Sequence, residues 1–243
     1  MKRHLTYLLL LLVSTSAYSQ QQNEGNQANG QAAAAKSYFG TAESAACIYN
    51  SKLEAPYSPG IKGQPYFVSS SHELGTVSYD GITYTNILLR LDTYKNQLVA
   101  LSPNGRFNVI LHQSKADSAS LHGYHIINFS GDSNKNSPAP GYYCRLYRGS
   151  HTILKKVSSS LSEQTNVNTL KVERQFKQST TYYILKDNTY HTVKSKRALI
   201  KLFKTHRKEL NSFYRQNKSL NFKTDPENTI VAIVRHYEIL NQP

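Results

Sequence analysis

The chain has 243 residues, of which 39% are hydrophobic, with a formal net charge of +14, 18 Tyr, no Trp and 2 Cys. Its longest early apolar run, Leu5 to Val13, is too short for a membrane span, which takes about 20 residues. An excess of base on this scale attracts anionic partners, but no nucleic-acid motif, Gly-x-Ser-x-Gly nucleophile elbow or metal-ligand constellation accompanies it.

Lys2, Arg3 and His4 precede the apolar run and Ala17-Tyr18-Ser19 follows it as a small-x-small cleavage site, so residues 1–19 read as a secretory signal peptide. Residues 20–36, rich in Gln, Asn, Gly and Ala, bury too little surface to offset the entropy of ordering them and read as a flexible linker. The remaining residues, 37–243, are expected to form a single α+β domain: an antiparallel β-meander, curled or half-barrel in shape, with two amphipathic C-terminal helices.

The sheet begins after an irregular stretch broken by Pro56, Pro59, Gly60, Gly63 and Pro65, with a short strand expected at Tyr66 to Val68. Asp80-Gly81 then marks a two-residue hairpin turn. It sets Tyr79 opposite Ile82 and Val77 opposite Tyr84 on one face. Ile87 to Leu91 is consecutively apolar, which predicts burial on both faces. Leu98 to Leu101 returns, and Asn104-Gly105 turns into a strand carrying Phe107, Val109 and Leu111. Lys115 to Ser120 reads as a polar loop, Tyr124 to Phe129 as a strand and Ser130 to Pro140 as a surface loop. Two further hairpins follow, around Arg148-Gly149-Ser150 and Asp187-Asn188, with a weaker strand at Leu170 to Phe176 between them. The adjacent pairs Tyr142-Tyr143 and Tyr182-Tyr183 must present one ring to each side of their strand.

After Lys194 the apolar period changes from two to about three and a half. Ser195 caps a helix whose face carries Leu199, Leu202, Phe203, His206, Leu210 and Phe213. Thr224-Asp225-Pro226-Glu227 starts another, with Ile230, Ile233, Val234, Tyr237 and Leu240 at helical spacing. The two stripes are expected to cover the hairpin face opened by Tyr79 and Tyr84. Charge concentrates in this half of the chain: residues 151–243 carry 17 Lys and Arg against 7 acids, while residues 20–150 carry 10 against 8.

Cys47 and Cys144 fit either two free thiols or, in an oxidising compartment, a disulfide. His122 and His125 fall on opposite faces of a strand-like segment, so no metal site is expected, and no cofactor.

The segments GQPYF at Gly63 to Phe67, GTVSYDGITYTNILLRLD at Gly75 to Asp92, and the tail from Lys194 to Leu240 resemble a group of exported proteins of unknown function from Bacteroidota. The resemblance implies an envelope, periplasmic or secreted location in a Gram-negative cell; the group has no established activity, so no site residue carries over. Where that group has an acid-rich stretch near Leu91 to Val99, this chain has Thr93 to Gln97, TYKNQ.

The first functional reading is an envelope-associated interaction module whose basic helical face, Lys201, Lys204, Arg207 and Lys208, binds an anionic envelope surface or envelope protein rather than nucleic acid. The alternative is a carrier holding a lipid or other apolar ligand in a curled-sheet cavity lined by Tyr79, Tyr84, Leu89 and Phe107. A hydrolase stands third and would need a Ser or Asp joined to His112, His122, His125 or His151.

Overall fold

The computed structural model describes residues 47–131, 136–166 and 171–242; the expected signal peptide and linker, part of the Ser130 to Pro140 loop and Leu170 lie outside the described residues. The strands are β1 (Ile61–Lys62), β2 (Glu73–Tyr79), β3 (Ile82–Asp92), β4 (Gln97–Leu101), β5 (Asn108–Ile110), β6 (Ala116–Leu121), β7 (Tyr124–Phe129), β8 (Gly141–Arg148), β9 (Thr152–Asn166), β10 (Lys171–Lys186) and β11 (Thr189–Val193). Three helices close the chain: α1 (Lys196–Leu202), α2 (Arg207–Gln216) and α3 (Pro226–Leu240). All of these strands and helices belong to the unit Tyr49–Pro243.

The Asp80-Gly81 hairpin forms in the register its turn dictates. Both turn residues have positive φ, 53° and 77°, and Tyr79 pairs with Ile82, Ser78 with Thr83 and Val77 with Tyr84. Val77, Tyr79 and Tyr84 are buried, whereas Ile82 at the hairpin tip is exposed. A bulge between Gly75 and Val77, with Asn86 at φ 58°, shifts the rest of the pair, so Leu89 and Leu91 are buried while Ile87 and Leu88 are only partly so. The expected burial on both faces is therefore one-sided.

One 11-stranded sheet runs in the order β1-β10-β9-β8-β7-β6-β2-β3-β4-β5, with β11 pairing the remaining edge length of β10. It is two meanders, β2 to β5 and β6 to β11, joined because β6 pairs with β2 instead of β5. The sheet is mixed and open, not wholly antiparallel: β1 lies parallel to β10, with Ile61 opposite Arg174. Pro59, Gly60 and Gly63, the last at φ 76°, limit that added strand to two residues. Tyr66, expected within a strand, makes a lone bridge to Asp92. Lys115 to Ser120, expected as a loop, is almost wholly β6, whose Ala116, Ala119 and Leu121 are buried. The weak strand before Phe176 and the one at Tyr182 to Leu185 are a single strand, β10, paired with β9 over 15 positions. β9 and β3 stand five places apart in the sheet order, yet Ser159 N–H donates to Thr93 O at 3.1 Å, so the sheet bends strongly between them.

The tail has three helices, not two. Phe203 leaves helical geometry at φ −104°, ψ 63°, and a 3₁₀ turn over Lys204–His206 follows before α2 starts. The break lets Leu199, Phe203 and Leu210 all bury, together with Ile230, Ile233, Val234 and Tyr237 of α3, against Ile153, Tyr182, Ile184 and Val193. The helices thus cover the β9–β11 region; neither Tyr79 nor Tyr84 belongs to this cluster. On the opposite face Tyr143, Leu154 and Tyr190 pack with Phe129, Tyr183 and Leu185, so Tyr182 and Tyr183 split their rings between faces.

Both helix starts follow the sequence. Ser195 accepts from Ala198 N–H at 3.2 Å, and Asp225 accepts from Asn228 N–H at 3.1 Å ahead of Pro226. Glu227, in the first turn of α3, accepts from Lys155 Nζ at 2.5 Å and from Tyr124 OH at 3.0 Å, which fixes that helix end to the sheet.

Candidate functional site

The β10–β11 hairpin begins the site. Its turn residues, Asp187 and Asn188, both have positive φ, 49° and 54°, which closes the strands with Lys186 opposite Thr189 and Ile184 opposite His191. On the helix-facing side the alternation runs Tyr182, Ile184, Lys186 along β10 and Val193, His191, Thr189 along β11. The apolar residues of that face lie under the helices, and towards the hairpin tip the same face becomes basic.

α1 supplies the opposite wall. Burying Leu199 and Ile200 places Lys201 at the exposed side of α1, and the 3₁₀ turn that follows leaves Lys204 exposed beside it. Between the two walls lies a depression of about 600 Å³ lined by Lys186, Asp187, His191, Thr192, Lys201 and Lys204 among others. A second depression, of about 390 Å³, is lined by Ser195, Arg197, Ala198, Lys201 and Arg207. Lys201 and Ala198 belong to both, so the two form one continuous basic surface.

Bases without an acid partner gather on this surface, although exposed bases elsewhere, such as Lys177 and Lys218, also have none among the described residues. Some bases elsewhere are matched: Lys62 with Glu173 and Arg174 with Glu163 at 2.7 Å, Lys115 with Asp80 at 2.8 Å, and Arg90 with buried Glu54. In the depression Lys186 pairs with Asp187, whose carboxyl is held below its ordinary range by that hydrogen bond and by the charge of Lys186. Among the described residues no acid pairs with Arg197, Lys201, Lys204, Arg207 or Lys208, all of them exposed. Of the four bases expected from the sequence, Lys201 joins Lys204 in the larger depression and Arg207 in the smaller, while Lys208 lines neither. Lys186, His191 and Arg197 join them. Their partnership depends on the hairpin tip meeting α1, for which the only local signal is the Asp187-Asn188 turn.

The other polar clusters hold elements together. Lys156 donates to Asn96 Oδ1 at 2.7 Å and to Tyr142 O at 3.0 Å, with its ammonium 4.5 Å from the Tyr143 ring centroid. Burial lowers its pKa to about 8. Gly141 makes the fit possible, since a Cβ there would stand 2.6 Å from Lys156 Nζ and 2.5 Å from Asn96 Nδ2. Asp92 accepts from Tyr57 OH at 2.5 Å and from the N–H groups of Tyr94 and Lys95 at 2.8 Å, organising the turn from β3 to β4.

Of the histidines considered for hydrolysis, His122 pairs with Glu73. His151 Nδ1 lies 2.9 Å from Glu238 Oε1, with its ring edge-on to Phe203 and Tyr237. Burial lowers the pKa of His125, helped by the Arg145 charge. Among the described residues no serine hydroxyl is hydrogen-bonded to any of these rings. Of the residues considered for an apolar cavity, Tyr79, Tyr84 and Leu89 are buried and Phe107 is 49% exposed; neither of the two depressions is lined by them.

No group of three or more His, Cys, Asp or Glu among the described residues is placed to hold a metal ion. Nor is any helix among them long and apolar enough to cross a membrane. No protein-family model, curated protein or solved structure matches the chain.

Proposed function

We propose that this protein is an interaction module that docks an anionic partner of the cell envelope on the basic surface between α1 and the β10–β11 hairpin. The observation that carries the reading is a concave surface lined by four exposed bases, Arg197, Lys201, Lys204 and Arg207, none of which has a carboxylate partner among the described residues. Exposed cations left unpaired contribute little to folding, but together they raise the local concentration of anions and speed their encounter. Export, read from the leader, supplies the compartment in which phosphate- and carboxylate-bearing envelope components are met.

The test is charge reversal at matched positions. Lys201→Glu with Lys204→Glu is expected to weaken binding of labelled inorganic polyphosphate at least tenfold in fluorescence anisotropy. Lys177→Glu with Lys218→Glu, the same charge change at other exposed sites, is expected to weaken it only slightly. Binding by the chain itself should also fall steeply with salt, since screening acts over about 8 Å at physiological ionic strength. Equal losses from both pairs would reduce the interaction to net charge and overturn the reading.

A further inference from the structure

The larger depression offers more than charge, because one of its walls is a strand edge. A two-residue turn closes a hairpin on a pair that exchanges both hydrogen bonds, so in β10–β11 the fully bonded pairs are Lys186–Thr189, Ile184–His191 and Tyr182–Val193. Residues between them on β11 direct N–H and C=O away from β10. Thr192 is one of these. Its side chain shares the far face with Tyr183, so it meets the depression at the sheet edge, and among the described residues neither its N–H nor its C=O has a partner.

Resting on the anion-docking reading, we propose that the partner presents an extended acidic polypeptide segment that adds as a strand to β11. An added strand would run about 4.8 Å from β11 and send alternate side chains to opposite faces. Every second residue then meets Lys186, Lys201 and Lys204, and carboxylates suit those positions. The intervening residues extend the opposite face, where Tyr183, Leu185 and Phe129 are only partly buried, and apolar side chains suit that side. The expected segment therefore alternates acid with apolar. Lysines flanking an open edge discourage pairing with a second copy of the same basic edge, which favours an acidic partner over self-association.

The experiment uses the full chain and three probes: a short synthetic peptide alternating Glu with Val, the same peptide N-methylated on the edge-facing amides, and inorganic polyphosphate. The peptide is expected to bind, and N-methylation to weaken it about tenfold or more. Thr192→Pro removes an outward N–H without removing a bond to β10, as edge strands tolerate. That variant should lose a similar factor for the peptide and a clearly smaller one for polyphosphate, which meets Thr192 only at the edge of the depression. If N-methylation and Thr192→Pro leave peptide affinity unchanged, or the peptide fails to bind while polyphosphate does, strand addition is wrong and the anion-docking reading survives. If no probe binds, both fail. Should Thr192→Pro prove unfolded by circular dichroism, the N-methylated peptide on the unaltered chain decides.

Discussion

Phe203→Ala tests how the helical layer holds the site in place. Phe203 is fully buried where the tail breaks helical geometry, its ring centroid 4.3 Å from that of Tyr237 and 5.4 Å from that of His151. Truncating a fully enclosed Phe removes its transfer free energy and leaves a cavity, costing about 3–5 kcal/mol. At about 2–4 °C per kcal/mol for a domain of this size, the melting temperature should drop by roughly 6–20 °C. Differential scanning calorimetry of the full chain measures it. Phe203→Leu, which refills most of the volume, should cost about 1 kcal/mol. Because Phe203 directly follows α1, the alanine variant should also weaken polyphosphate binding, although no charge has changed. A fall of less than about 3 °C would show that the ring is not the shared anchor of α1, α3 and the β8–β9 turn.

Glu238 accepts from Tyr147 OH at 2.6 Å, His151 N–H at 2.7 Å and the His151 ring. Burial alone would raise its pKa, but these bonds outweigh burial and hold it below the ordinary 4.5. A carboxyl with a depressed folded pKa stabilises fully above its unfolded value and loses that contribution as pH falls through the folded one. Glu238→Gln should therefore cost about 1–3 kcal/mol at neutral pH, with the gap to the unaltered chain narrowing below pH 4.5 in urea titrations; a gap independent of pH would refute this. The thiols should also separate. Cys47 is free and exposed, whereas Cys144 is free and buried, its pKa pushed up to about 12 by burial. A thiol reagent is expected to titrate one cysteine in the native chain and both after unfolding, and a disulfide in the unfolded, unreduced chain would contradict that.

Elements whose turns require positive φ were legible in the sequence: Asp80-Gly81 and Asp187-Asn188 fixed their own registers through local chemistry. β6 was hidden because Ala116, Ser118 and Ala119 have no strand-like bulk; they suit a strand packed closely beside β2, where a Cβ on Gly75 would meet Ser120 O at 2.3 Å. The half of the β9–β10 ribbon nearest its turn is largely exposed, from Ser160 to Thr165 and again at Lys177 and Gln178, so little apolar alternation marked it. The pairing of Ile61 with Arg174 joins residues 113 positions apart, and no local pattern encodes it. Phe203 lies on the expected apolar stripe, but no Pro or Gly announces the break that follows it. The site divides the same way. Lys201, Lys204 and Arg207 were visible as a basic helical face, whereas Lys186 and His191 reach it only through the hairpin's return to α1.

Where an anion sits on the surface distinguishes a built site from general charge attraction. Two-dimensional amide NMR of the isotope-labelled chain, titrated with inorganic polyphosphate, locates it residue by residue. Saturable shifts concentrated at Lys186 to Thr192 and at Arg197 to Arg207, with Lys177 and Lys218 unmoved, are expected. Shifts spread evenly over the exposed lysines, or centred on another surface, would overturn the proposed site.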